Sequence, residues 1–268
     1  MDLLRFSAHI WDHYHHHRRS FPWRDLITPY RVVVSEIMLQ QTQTHRVLPK
    51  FDAFVARFPD WQTLAHAPFS EVLGLWKGLG YNRRALALHK TAEQLVFAYD
   101  SILPNDETVL LQFPGIGKAT ACSIVAFAFN KPVVFIETNI RTVFLDAFFK
   151  DQHDVHDKAI MPLIEATLDR KKPRDWYYAL MDYGVHLKKT VGNKNQQSRH
   201  YQRQSRFVGS DRQIRGQILR ELLEHKSMQK SQLPARLQQD SERVLRLVED
   251  LCQEGMLRNK NDMLYIKE

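Results

Sequence analysis

Cysteine is nearly absent from this chain of 268 residues, with Cys122 and Cys252 the only two. They lie far apart, each inside an apolar helical pattern, and read as buried free thiols of a reducing compartment, which excludes a disulfide scaffold. No stretch approaches the ~18 consecutive apolar residues of a membrane-spanning helix. The opening Met1-Asp2-Leu3-Leu4-Arg5-Phe6 lacks the basic segment, apolar stretch and small-residue cleavage site of a secretory signal, and none is expected. Strand-like alternation is scarce before the last dozen residues, and no internal repeat is visible. A charged fraction of 25% with 11% aromatics excludes a disordered chain.

What is present is helical periodicity over 44% apolar residues, enough to build one large domain or two smaller ones. The balance of 38 Lys+Arg against 30 Asp+Glu, a net charge of +8, modestly favours a polyanionic partner. An amphipathic helix is expected over about residues 2–17, ending in His15-His16-His17, which point different ways on a helix and form no specific metal site. Helices broken by Pro59, Pro68, Gly78-Leu79-Gly80, Pro104 and Pro114-Gly115 are expected from Pro29 to about Phe129, then more from Pro132 to Leu187, with Lys171–Asp175 as a loop. Residues 188–206 contain Lys188, Lys189, Lys194, Arg199, Arg203 and Arg206 and no acid, so they read as a solvated linker or as a basic arm along phosphates. Residues 211–268 read as a separate module of three helices and a terminal hairpin, a winged-helix-like pattern that binds DNA in some proteins and protein in others.

Two segments carry chemistry. In Leu111-Gln112-Phe113-Pro114-Gly115-Ile116-Gly117-Lys118-Ala119-Thr120-Ala121, two glycines flank an apolar pin just before a helix. Glycine lets the backbone approach a phosphate, and the free N–H groups and helix dipole attract it. This is the helix-hairpin-helix pattern for sequence-independent backbone binding, with Gly115, Gly117 and Lys118 as its contacts. The second segment is Ser35-Glu36-Ile37-Met38-Leu39-Gln40-Gln41-Thr42-Gln43, preceded by Phe21-Pro22-Trp23-Arg24 and by the apolar Val32-Val33-Val34. A carboxylate beside apolar walls favours its neutral form, which suits Glu36 to proton donation. Gln41 and Tyr81, a polar and a flat group, are candidates to wedge into a base stack, with Leu39 beside them.

Together these segments resemble the helix-hairpin-helix (HhH-GPD) DNA glycosylases over residues 1–187, specifically the MutY-like branch of A/G-specific adenine glycosylases. The resemblance implies a mainly α fold of two lobes, with duplex DNA between them and a base flipped into a pocket. A six-helix lobe is expected over about residues 29–130 and a second lobe from residues 1–28 plus 131–187, followed by a basic arm over 188–210 and the module at 211–268. By the same resemblance Glu36 protonates the leaving base and later activates water. A carboxylate in Ile136-Glu137-Thr138-Asn139-Ile140-Arg141 stabilises the oxocarbenium-like sugar, Asn139 helps hold it, and Trp23, Arg24, Ala119 and Tyr178 border the base.

Departures from the family pattern narrow these expectations. Glu137 stands where Asp is usual, and a helix N-cap is its alternative reading. Relatives carry four cysteines for an iron–sulfur cluster where residues 188–207 have none, so no cysteine-held cluster and no other cofactor is expected, although the hairpin is compatible with a monovalent cation. The arm's basic residues are expected to replace the cluster loop's DNA contacts. Ala119 replaces the Schiff-base lysine of lyase-active relatives, and Tyr178 the Glu or Gln that reads the base edge. The Glu-Thr-Asn-Ile-Arg form and the Arg206–Ser210 junction resemble a clusterless subgroup. A monomeric, monofunctional glycosylase of the cytoplasm and nucleoid is therefore expected, acting on mismatched adenine. Excision of another base (mismatched thymine or uracil, or an alkylated purine) and a non-catalytic DNA-structure binder are the alternatives.

Overall fold

Asp2 accepts the Leu4 N–H and starts the first helix, α1 (Leu3–His17), which sets Phe6, Ile10 and Tyr14 on one face at spacings of four. A computed structural model describes residues 2–268 of the chain. After α1 come α2 (Pro22–Asp25), α3 (Pro29–Leu39), α4 (Thr44–Arg57), α5 (Trp61–Ala65), α6 (Phe69–Trp76) and α7 (Arg83–Ala98). They are followed by α8 (Glu107–Leu110), α9 (Lys118–Phe129), α10 (Thr138–Phe148), α11 (Asp157–Thr167) and α12 (Pro173–Thr190). The last helices are α13 (Asp211–His225), α14 (Leu233–Leu237) and α15 (Ser241–Gln253). Strands β1 (Ser227–Gln229), β2 (Leu257–Lys260) and β3 (Met263–Ile266) form one antiparallel sheet in the order β1-β3-β2.

The chain divides into two units that it enters more than once. The first holds residues up to Glu36, Asn105–Gln112 and Ile116–Arg203; the second holds Ile37–Pro104, Phe113–Gly115 and Gln204–Glu268. In the first, Phe6 and Tyr14 share a core with Cys122 and Phe127 of α9, Phe144 of α10, and Trp176 and Leu180 of α12. Gly184 is required there. A Cβ on it would run into the backbone of Asn139, so glycine lets α12 approach the first turn of α10. In the second unit Phe51, Phe54, Leu64 and Trp76 are fully buried. The C-terminal module closes over its own core of Ile214, Ile218, Leu222, Val244, Leu247, Leu251 and Leu264.

This division differs from the lobes expected at 29–130 and 1–28 plus 131–187. α8 and α9 go with the first unit because Cys122, Ala126 and Phe127 face the α10 and α12 core. The expected loop at Lys171–Asp175 is shorter, since Pro173 begins α12, where a missing N–H costs nothing. The arm expected at 188–210 is also shorter. α12 runs on to Thr190, Asn195 and Ser198 are buried, and Val155 pairs with Ser198, leaving residues 199–209 as the exposed stretch. The module has the expected helices and hairpin, with β1 as a third strand too short to leave a pattern.

Candidate active site and nucleic-acid interface

Glu36 lies in α3 directly after the buried Val32, Val33, Val34 and Ser35. The Ser123 hydroxyl of α9 reaches its Oε2 at 2.5 Å and the Thr120 carbonyl at 3.0 Å. Burial pushes the Glu36 carboxyl up to about 7; the Ser123 hydrogen bond opposes this, the Glu137 charge adds to it and Arg24 opposes it. At neutral pH this acid is divided between its two protonation states, where a general acid works best.

Glu137 is the N-cap of α10. Its Oε1 accepts the N–H groups of Asn139 at 2.7 Å and Ile140 at 2.9 Å, and its Oε2 accepts Asn139 Nδ2 at 3.3 Å. Burial raises its pKa too, opposed by those N–H groups and by the charges of Lys188 and Arg141. Lys188, one turn beyond Gly184 on α12, donates to Asn139 Oδ1 at 2.8 Å. A chain of donors thus runs from Lys188 through Asn139 to Glu137. Lys188 was expected at a phosphate and is instead half-buried at the carboxylate, its own pKa lowered by burial. Lys194 pairs with Asp146 at 3.5 Å, while Lys189 is exposed.

The expected base-pocket residues separate. Trp23, Arg24 and Tyr178 are buried, whereas Ala119 is exposed in the first turn of α9. Arg24 lies 4.1 Å over the Tyr178 ring, which stacks on Phe127 at 4.7 Å. Arg24 Nη1 is 2.9 and 3.0 Å from the two oxygens of Asp182, which Arg19 also binds. Asp182 was missed in the sequence, although a lone acid in the apolar stretch of α12 carried the signal.

In the second unit, Gln41 and Tyr81 both take left-handed backbone, at φ 53° and 48°, which costs a non-glycine residue about 1–2 kcal/mol. Arg84 holds both turns. Its buried guanidinium donates to the carbonyls of Ile37, Met38 and Gln40 at 2.7–2.9 Å, to Thr42 Oγ1 at 3.0 Å, and to the carbonyls of Leu79 and Gly80 at 3.3 and 3.0 Å. Sequence reading also missed Arg84; an arginine opening the apolar run Ala85–Leu88 was its mark. Leu39 and Gln40 are half-buried at the end of α3, and Gln40 Nε2 donates to the Gly115 carbonyl at 3.0 Å. Gly115, at φ 74°, packs where a Cβ would stand 2.8 Å from Ala87. Gly117 caps α9 and Lys118 opens it, both exposed, while Ile116 is buried as the expected pin. An N–H-rich turn at the head of a 12-residue helix is equipped to hold a phosphate.

The hairpin turn at the head of α9, Glu36 and the capping Glu137 all fall within one matched stretch of the chain. A sequence profile of the HhH-GPD superfamily of base excision DNA repair proteins matches residues 34–181, and the chain belongs to that family. It is 36% identical over 190 residues to an adenine DNA glycosylase of Buchnera aphidicola subsp. Baizongia pistaciae, covering 69% of this chain and 53% of that protein. It is 34% identical over 230 residues to an adenine DNA glycosylase of Mycolicibacterium smegmatis, covering 77% and 76%. The chain thus spans about half the length of the first relative and three quarters of the second. Among solved structures it resembles a thermostable thymine-DNA glycosylase at 27% identity and a TM-score of 0.61, covering 68% of this chain and 86% of that one.

Among the described residues no group of three or more His, Cys, Asp or Glu is arranged to hold a metal ion, and no helix is long and apolar enough to cross a membrane. The residues of 188–207 do not fit a cysteine-held cluster. The two thiols lie elsewhere, in α9 and α15, and Lys188 is committed to Asn139.

Proposed function

We propose that the chain is a monofunctional DNA glycosylase that flips a mismatched adenine out of duplex DNA and hydrolyses its N-glycosidic bond. The carrying observation is the pair of carboxylates in unlike settings, Glu36 raised to about 7 and Glu137 anchored by two N–H groups and faced by Lys188. Glu36 gives its proton to a ring nitrogen of the base. The C1′–N bond breaks and its electron pair leaves with the base. Glu137 faces the resulting oxocarbenium-like sugar with negative charge. Water then adds to C1′, and the Glu36 carboxylate takes up its proton.

The test is a panel of duplexes, each with one mismatch or lesion, treated with the protein and then with alkali. Adenine mispairs should give strand breaks only after alkali, and borohydride should trap no covalent adduct, because Ala119 offers no amine. A panel with no alkali-labile product would overturn the proposal. Excision of another base is a second reading, favoured by Tyr178, which lies buried beneath Arg24 instead of offering a polar edge reader. Breaks at thymine or uracil mispairs alone would establish it.

A further inference from the structure

The Tyr81 turn is held by the C-terminal module as well as by its own lobe. The Tyr81 hydroxyl accepts hydrogen bonds from Arg212 Nη1, in the first turn of α13, and from Gln204 Nε2 in the segment leading to it. The Arg212 guanidinium also lies 4.9 Å from the ring centroid, and Arg84 lies 5.6 Å from it. Two residues along, Arg83 pairs with Glu254, which Arg215 of α13 binds as well. Arg212 is itself tied back to the segment that leads into α13, donating to the Ser205 carbonyl at 2.8 Å. None of these contacts is required by the hairpin or by the carboxylates.

We infer that Arg212, assisted by Gln204, is a positioning residue for Tyr81, so that the C-terminal module takes part in reading the DNA target by fixing the orientation of the wedge ring. A half-exposed aromatic on a two-bond stem samples several rotamers in water. The Arg212 contact restricts it before DNA arrives, removing an ordering cost from the bound state. With both lone pairs of the Tyr81 oxygen engaged, the hydroxyl retains only its proton, which suits an acceptor on a base edge such as those of the minor groove. The inference rests on the glycosylase reading for its DNA arm.

The experiment has two arms in the full-length chain. In DNA-free protein labelled with ¹³C-tyrosine, Arg212→Ala should shift and average the Tyr81 ring resonances and leave those of Tyr178 in place. In single-turnover excision, Arg212→Ala should lower the rate about tenfold when Tyr81 is present and less than about twofold in a Tyr81→Ala background, the mark of a coupled pair. Arg212→Lys, which keeps a charged donor without the flat guanidinium, should recover part of the loss. Unshifted Tyr81 resonances, or rate losses that multiply in the double variant, would overturn the inference. If the unaltered chain excises nothing from any duplex, the glycosylase reading falls and the ring resonances alone decide.

Discussion

In the first unit the decisive polar groups are acids withdrawn from water, whereas in the second they are carbonyls and a ring gathered around one buried cation. Glu36 and Glu137 both have raised pKa values, because the hydrogen bonds and cations beside them do not fully offset burial. Arg84 is shifted by burial as far as Glu36 but ends far from neutrality. Its two Nη atoms meet six acceptors while Nε has no partner, and its pKa, lowered to about 10, keeps it charged at every physiological pH. The carboxylates of the first unit are the proton-transfer groups of the proposal, and Arg84 of the second holds a backbone shape. Substitutions at the carboxylates should therefore cost rate, and those at Arg84 should cost structure.

The largest effect expected is at Glu36. Glu36→Gln should slow single-turnover excision by roughly 10²-fold or more with duplex binding retained, and equal rates would remove it from the chemistry. In the unaltered protein excision should fall as pH rises through about 7, as Glu36 loses its proton. Stability should follow the same sense. A carboxyl whose pKa rises on folding from 4.5 to about 7 contributes fully below 4.5, and that contribution is lost through pH 7. A melting temperature that climbs across this window in the unaltered chain but not in Glu36→Gln would contradict the assignment.

Next comes the counter-case, Arg84→Met. Leaving buried carbonyls without their donor should destabilise the fold by about 3 kcal/mol, read as a lower denaturant midpoint. A variant of normal stability with lost excision would erase the contrast between the units. Glu137 tests it from the other side. The capping geometry is shared by both readings of this residue, so the two differ only in rate. Glu137→Gln should lower excision nearly as far as Glu36→Gln, and Glu137→Asp, one methylene shorter, by less, with stability changes of about 1 kcal/mol in each. A fully active Gln variant would leave Glu137 as a cap only.

Smaller effects divide the lysines. Lys188→Met should lower excision about tenfold, through loss of the donor on Asn139, and leave the salt dependence of binding unchanged. Lys189→Ala should leave excision at saturation unchanged and flatten the salt slope by about one phosphate contact. The opposite pattern would return Lys188 to the DNA backbone.

Much of this was legible in the residues. Gly115 announces its turn because few other residues adopt φ 74°, and Glu36 stands out because it breaks an apolar run. The module's helices follow from the spacing of Ile214, Ile218 and Leu222 and of Val244, Leu247 and Leu251. The roles of Arg84, Asp182 and Lys188 were not legible, because each depends on partners dozens of positions away in sequence: Ile37 for Arg84, Arg24 for Asp182 and Asn139 for Lys188. Periodicity reports which way a side chain faces and nothing about which distant carbonyl or carboxylate will meet it.

The interleaved path of the chain also bears on its synthesis. Phe6 and Ile10 are made long before Trp176 and Leu180 of α12, which belong to the core that covers them. At about 5–20 residues per second, those two apolar side chains wait on the order of 10 s for their partners. The first unit therefore cannot close as it emerges, and the nascent chain must carry an uncovered amphipathic helix past the completion of α4 to α7. A message truncated before α12 would leave α1 only partly covered, by Phe144 and Phe148 of α10, and open to chaperones and proteases.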